Sequence, residues 1–442
     1  MSATLQPLVG STRRRRSAAR PLYLLMLAYP VAWALGAGYF IWPVLSLGFV
    51  ISLLARRRLH LPRGFGIWLL FLIWMAFSSI ECNTTTRYVL FAWRASIYIT
   101  ATVVFLWIVN LRRAQLPDSA VAGAVTVLWV EAIIGGVLGV LFPSFSFHAP
   151  LERITPHSLL NDPTVYAYIH PALADLKFRA LGHPFGRPKA LFAYTNQWGA
   201  CVGVMTPLVI AFLSRVRRRG LRWTLIGLLL LSLAPIIVSI NRGLWIALII
   251  GVLYAGIRLA ASGRSRALLA VVLVLVAAGG VVALSPLSTI IHQRTTSQVN
   301  SNDTRSTLAV QALQQVGQSP LLGYGSPRPS PTASPYLTAH TGTQGQLFLV
   351  LFSHGFPGLI FYLGWFGYLL VRTWRVTSTF GLWCHVAILI SLIQIPFYDY
   401  MPTTFYVVMI ASALAWRNRA RRPPPVPRAA TARSAPAERV LA

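Results

Sequence analysis

The stretch "PIIVSINRGLWIALIIG", residues 235–251, sets a single arginine between two apolar runs. Trp223 to Ile240 lies on one side of Asn241-Arg242-Gly243, and Leu244 to Ile257 lies on the other. A charge in such surroundings is costly enough to need a reason. Its depth in a membrane decides what that reason is. The chain has 442 residues, only 11% of them charged, and a mean hydropathy of +0.61. Apolar runs recur from Leu22 to Trp416, each near the roughly 17–25 residues that cross a bilayer as a helix. The pattern predicts an all-α polytopic membrane protein, since helices keep every backbone hydrogen bond within the segment.

The net charge of +30 is distributed as a topology signal. A nucleic-acid binder gathers its charge on one face, so no nucleic-acid partner is expected. Here the arginines sit in short clusters between apolar runs: "RRRR" at 13–16, "RRR" at 56–58, Arg112-Arg113, "RVRRRGLR" at 215–222 and "RNRARR" at 417–422. We read twelve spans, 22–36, 38–54, 65–80, 88–109, 121–142, 190–214, 223–240, 244–257, 267–285, 345–371, 380–397 and 402–416. With the first end inside, the inner segments hold 28 of the 39 Lys and Arg residues, which satisfies the positive-inside rule without a break. The first run also resembles a signal peptide, following arginines and meeting "ALGA", but keeping it as a span makes all later loops consistent. The expected organisation is a basic cytoplasmic N-terminus (1–21), five spans (22–142), an extracytoplasmic loop (143–189), four spans (190–285), a large extracytoplasmic loop (286–344), three spans (345–416) and a disordered basic cytoplasmic tail (417–442).

This arithmetic locates Arg242. Arg222 and Arg258 both belong to inner connections, with 35 residues between them, enough for two spans of about 17 residues and a minimal turn. The turn falls at Asn241-Arg242-Gly243 on the outer face, where Asn and Gly tolerate the positive φ of a tight reversal. One reading of Arg242 is a guanidinium reaching up to lipid phosphates. The other is a fixed fork that grips a phosphate ligand bidentately. In "VNSNDTRSTLAVQALQQVGQSPLLGYGSP", residues 299–327, Asp303 or Thr304 is expected to cap a helix from Arg305, with Leu308, Leu313 and Val316 as its apolar face and Gly317 as its stop. A first-turn arginine opposes the helix dipole unless an anion shares the site. It is otherwise a solvated partner of Asp303. In "RPKALFAYTNQWGACVGVMTPLVIAF", residues 187–212, Thr195, Asn196 and Gln197 open the sixth span and either bond neighbouring helices or line a polar substrate cavity.

Taken in order, Asn196 at a span opening, "INRGLW", "DTRSTLAVQALQQVGQSPLLGYG" and "GQLFLVLFSHGFPGLIFYLGWF" resemble the O-antigen ligase/polymerase family. The forms "RPKALFAYTNQWG" and "GTQGQLFLVLFSHG" resemble an actinobacterial branch of these lipid-linked-glycan ligases. The resemblance covers about 187–372 and implies a GT-C-like glycosyltransferase in the bacterial plasma membrane. Its donor would be a polyprenyl-pyrophosphate-linked glycan, and its acceptor a glycan, glycolipid or other hydroxyl. Arg242 and Arg305 correspond to the family's pyrophosphate-binding arginines. The family opens the span after the big loop with His-Asn, which puts Gln344 at the histidine position here, with His340 four residues upstream as the stand-in base. Asn196 and Gln197, beside Thr195 and Asn241, would orient sugar or phosphate.

Other polar groups receive blander readings. Glu131 and Arg94 are expected to neutralise each other inside the bundle, and His354 to be a helix-packing histidine. In the 143–189 loop, Glu152, His157, His170 and His183 have no zinc-like spacing, and three cysteines (Cys82, Cys201, Cys384) give no paired framework. With nine acidic residues in all, no metal or other cofactor is expected for the transfer. The two arginines would stabilise departing charge and a neutral histidine would deprotonate the acceptor. A polymerase of the same family, or a transporter or flippase, remains the alternative.

Overall fold

Local chemistry starts and stops the helices. Thr84 caps α5 (Thr85–Asn110) through its hydroxyl, which accepts from Arg87 N at 3.4 Å. Ser378 does the same for α18 (Thr379–Gln394), accepting from Gly381 N at 3.1 Å; each side chain satisfies one of the orphan donors at a helix start. The computed structural model describes residues 18–56, 58–176, 179–180, 183–296, 301–329, 340–343, 345–376 and 378–420.

A helix lies at each of the twelve expected spans. They are α1 (Arg20–Ala34), the pair α2 (Ile41–Leu45) and α3 (Leu47–Leu54), α4 (Phe65–Ser78), α5, α6 (Asp118–Leu141), α10 (Thr195–Leu213), the pair α11 (Arg219–Leu231) and α12 (Leu233–Val238), α13 (Arg242–Ala261), α14 (Ser265–Leu284), α17 (Gln346–Thr373), α18 and α19 (Thr403–Arg417). Among the described residues, six are long and apolar enough to cross a membrane: Thr85–Asn110, Asp118–Leu141, Thr195–Leu213, Arg219–Val238, Arg242–Ala261 and Gln346–Thr373. The chain is therefore a polytopic helical membrane protein.

Packing sorts these helices by depth. Every residue of α19 from Thr403 to Trp416 is buried, and α19 sits among α5, α10 and α18. Helix α10 packs on α6 and α18, α4 on α17, and α13 on α14 and α18. Helix α14 is as apolar as α19 yet exposes Leu269, Val272, Leu273, Val276 and Val281. A helix apolar all round belongs either in a core or in lipid, and the two helices take one role each.

Short elements fill the segments between bundle helices. α7 (Pro150–Ile154), α8 (His157–Leu160) and α9 (Pro163–Ile169) follow α6; α15 (Leu287–Thr296) and α16 (Ser301–Val316) precede α17. Antiparallel pairs join β1 (Ala174–Asp175) to β4 (Arg187–Pro188), β2 (Arg179–Ala180) to β3 (His183–Pro184), and β5 (Arg328–Pro329) to β6 (His340–Thr341).

Helix α17 is broken at Gly355, whose φ is 67° and ψ −172°. The break frees two carbonyls and an amide inside the bundle, and the turn after α16 satisfies them. Tyr324 N donates to Phe352 O at 2.9 Å, Gly325 N to Ser353 O at 2.8 Å, and Phe356 N to Pro320 O at 2.9 Å. A Cβ on Gly355 would lie 2.2 Å from Leu321 O, so glycine is required here. "SPLLGYG" and "SHGFPG" are two halves of one joint. His354 packs inside it as expected, its Nδ1 2.7 Å from Ser78 Oγ.

Three local expectations are corrected. Helix α16 already includes Ser301 to Thr304, so Asp303 and Thr304 lie inside it and Arg305 is not its first residue. On its apolar face Ala312, not Leu313, is buried with Leu308 and Val316; Leu313 is 51% exposed. Glu131 and Arg94 form no ion pair among the described residues, where the ion pairs are Arg113–Asp118, Arg417–Asp118, His148–Glu152 and His170–Glu152. The reason is packing: α5 lies mainly on α19 and α3, whereas α6 lies mainly on α10 and α1.

Candidate functional site

The reversal before α13 is built differently from the sequence reading. Ile240, not Asn241 or Gly243, adopts the positive φ, at 46°. A branched residue in that region stores about 1–3 kcal/mol that its surroundings must hold. They do so by burial: Ile240 is 2% exposed and clusters with Ile290 of α15, with Phe185 and Trp245 against them. Both long loops therefore meet at this turn. A second non-glycine residue with positive φ, Leu191 at 70°, leads into α10. Tyr29 Oη ties it down by donating to Leu191 O at 3.0 Å.

Gly243 has another role. A Cβ there would lie 2.4 Å from Tyr398 Oη, so glycine admits the tyrosine. Tyr398 then joins three helix starts. Its hydroxyl donates to Asn241 Oδ1 and accepts from Leu244 N of α13 at 3.1 Å. Its carbonyl accepts from Gln346 N of α17 at 2.8 Å. Asn241 Nδ2 in turn donates to Thr195 O of α10 at 3.3 Å. Thr195 Oγ1 donates to Arg187 O at 3.3 Å, and Arg187 Nε to Ser239 O at 2.8 Å, closing the ring.

This network divides the expected site residues. Thr195, Gln197 and Asn241 are buried, and Gln197 Nε2 donates to Met401 O at 3.3 Å; all three use their side chains to hold the framework. Asn196 and Arg242 are half-buried. Arg242 is the first residue of α13, whose first turn holds no acidic residue. Arg305 lies on α16, which packs on α17 through Ala312 and Val316, joined by Tyr324 of the following turn, against Leu351 and Phe352; its side chain falls outside the described residues. His340 opens β6 with its backbone paired to Pro329, its side chain likewise outside. Gln344 lies outside altogether.

Several residues escaped the sequence reading. Tyr398 and Gln346 are the main joints, and Gln346 Nε2 also donates to Tyr98 Oη at 2.8 Å. Asp399 accepts from Met401 N at 3.0 Å. Burial pushes its carboxyl above the usual range, opposed by the Met401 N–H and by the nearby Arg94 guanidinium. The signal available was "YDY" at 398–400, an acid between two tyrosines in a short connection. Beside Gln197 lies a pocket lined by Tyr39, Tyr168, His170, Phe192 and Thr403. Tyr39 and Tyr168 stack there at 3.8 Å and 22°.

Fold and site together define a polytopic α-helical membrane protein with buried polar joints that hold one arginine at a helix start. Residues 227–363 match the family model described as O-Antigen ligase, which bears out the O-antigen ligase/polymerase resemblance. The matched segment runs from inside α11 to inside α17, so it includes Arg242, Arg305, His340 and the break at Gly355, and leaves Thr195 to Gln197 outside. No curated protein matches the chain.

Proposed function

We propose that this protein is an extracytoplasmic glycosyltransferase of the bacterial plasma membrane. It would cross the membrane twelve times with both termini cytoplasmic. It transfers a glycan from a polyprenyl-pyrophosphate carrier to an acceptor hydroxyl. The observation that carries the reading is Arg242 at the first position of α13, where the dipole disfavours a cation and favours an anion. A pyrophosphate resolves that conflict, with backbone N–H groups and the guanidinium fork facing the same charge.

The acceptor oxygen bonds to the anomeric carbon as the bond from that carbon to the pyrophosphate oxygen breaks. The hydroxyl proton passes to His340, and polyprenyl pyrophosphate leaves with the bonding electrons. Arg242 and Arg305 stabilise the charge that grows on the leaving oxygen. Thr195, Gln197 and Asn241 act through the framework, and Asn196 orients the sugar. A polymerase would use the same donor site. A transporter or flippase is the other alternative, resting on Glu131 and Arg94 as ionisable residues within the spans.

The test is incubation of purified protein with polyprenyl-pyrophosphate oligosaccharides and acceptor. Acceptor-dependent release of polyprenyl pyrophosphate, without added magnesium or manganese, is expected. Intact protein that releases none while moving the donor across vesicles would overturn the proposal in favour of a transporter.

A further inference from the structure

The segment between α6 and α10 folds back on itself. Ser146 bridges to Ala172, and Phe147 N donates to Pro171 O at 3.2 Å. That clamp sets His148, just before α7, against His170, just after α9. Glu152 of α7 lies between them. Its Oε1 is 2.8 Å from His148 Nδ1 and its Oε2 is 3.0 Å from His170 Nδ1. The donor atoms of the three residues all lie within 4.8 Å of one another. We infer that His148, Glu152 and His170 form a binding site for a divalent transition metal, zinc by preference, that staples this segment into one shape.

The donor set selects the metal. Two imidazole nitrogens and one carboxylate oxygen suit zinc with an open fourth position, whereas calcium and magnesium want oxygen throughout. A tetrahedral site with bonds of about 2.0–2.1 Å spaces its ligand atoms by roughly 3.3 Å, a few tenths of an ångström wider than the two histidine–carboxylate distances here. A small turn of the His148 ring supplies the difference, and that side chain is 71% exposed. The other two ligands are held firmly. Glu152 and His170 are 8% and 13% exposed, Glu152 Oε2 also accepts from Ala149 N at 3.3 Å, and Tyr166 stacks on His170 at 4.7 Å and 14°.

Both histidines aim Nδ1 at the carboxylate. Without metal those nitrogens donate protons to it; with metal the protons leave and the same lone pairs bind the ion. His148 closes over the ion from solvent, which gives the site its way in. His170 and the adjacent Pro171 also wall the tyrosine-lined pocket, so the staple fixes one side of it. This inference stands independently of the transfer reaction.

The test uses full-length protein in detergent, freed of metal and titrated with zinc chloride by calorimetry. One equivalent should bind, and cobalt(II) should give a tetrahedral absorption spectrum. His148→Ala and His170→Ala should each weaken zinc binding about tenfold or more, and Glu152→Gln should weaken it while keeping an oxygen for Ala149 N–H. His157→Ala, outside the cluster, should bind as the parent does. Zinc should also slow tryptic cleavage after the exposed Arg153 in the parent and not in His148→Ala, whose exposed position spares the fold. Zinc binding by the parent no tighter than by His148→Ala and His170→Ala would overturn the site.

Discussion

Arg417 closes α19 and Arg242 opens α13, so the two meet opposite poles of a helix dipole. Arg417 is buried, pairs with Asp118 at 2.9 Å, and donates to Ile108 O at 3.1 Å and Leu116 O at 2.9 Å. Around it Arg258 donates to Trp374 O at 3.0 Å and Arg419 to Trp416 O at 2.6 Å. Each of these three guanidinium groups answers a carbonyl at or near a helix C-terminus, which the dipole favours, whereas Arg20 and Arg219 open α1 and α11 at the same end of the proposed topology. Arg242 sits where the dipole opposes it, on a turn strained at Ile240 and braced by Tyr398. Arg242 thus differs from Arg417 in the pole it occupies and in the strained turn that carries it.

The most complete separation of the two ends is a labelling experiment. The native cysteines Cys82, Cys201 and Cys384 are all buried, so an introduced thiol reports on a quiet background. An impermeant reagent added outside should modify Ser158→Cys and leave Ser262→Cys untouched. Modification at position 262 would reverse the proposed orientation.

Next in size is Arg242→Ala. A hydrogen bond to a charged group contributes about 1.5–3 kcal/mol, so transfer should slow roughly ten- to a hundredfold or more, with folded protein still inserted. Arg242→Lys should recover part of the rate, keeping charge without the fork. Parent rates in Arg242→Ala would make the residue a lipid-facing cation like any other.

A smaller effect is expected from Gly243→Ala. The new methyl must displace Tyr398, an overpacking that costs about 1–3 kcal/mol and misaligns α13 against α17. Transfer should fall about tenfold, and Gly243→Ala combined with Tyr398→Ala, which removes the ring the methyl meets, should lose no more than the tyrosine change alone. Strict additivity of the two rate losses would show that they do not share a joint.

At the other end, Arg113→Ala should change little. Arg113 is 58% exposed and 3.2 Å from Asp118, and exposed pairs contribute about 0–1 kcal/mol. The thermal midpoint should fall slightly and the transfer rate per folded molecule should hold. A large rate loss would mean that the basic end also touches the reaction.

Hydropathy and charge spacing were enough to locate helices from Arg20 to Arg417, because lipid and core both select apolar runs and arginine clusters punctuate them. Arg242 was legible for the same reason. The joints were not. Tyr398 lies in the eight-residue connection between α18 and α19 and acts on residues far away in sequence, so no periodicity announces it. Asn241-Arg242-Gly243 read as the reversal because Asn and Gly bend easily, yet Gly243 answers a tertiary contact and Ile240 carries the bend. Glu131 and Arg94 looked like a pair because their spans are consecutive, and packing sends those spans to different neighbours. His148, Glu152 and His170 converge only after the segment folds back at Ser146 and Ala172.

The break at Gly355 bears on the order in which the chain is made. The amides that complete α17 belong to Gly325, Tyr324 and their neighbours, which leave the ribosome before α17 itself. A span with two carbonyls unfilled is a poor lodger in hydrocarbon, where each open group costs several kcal/mol. On the proposed orientation, the large loop must cross and fold its last turn before this helix can settle. Insertion of α17 then waits on its own upstream loop, and its arrival in the bundle reports that the loop is already in place.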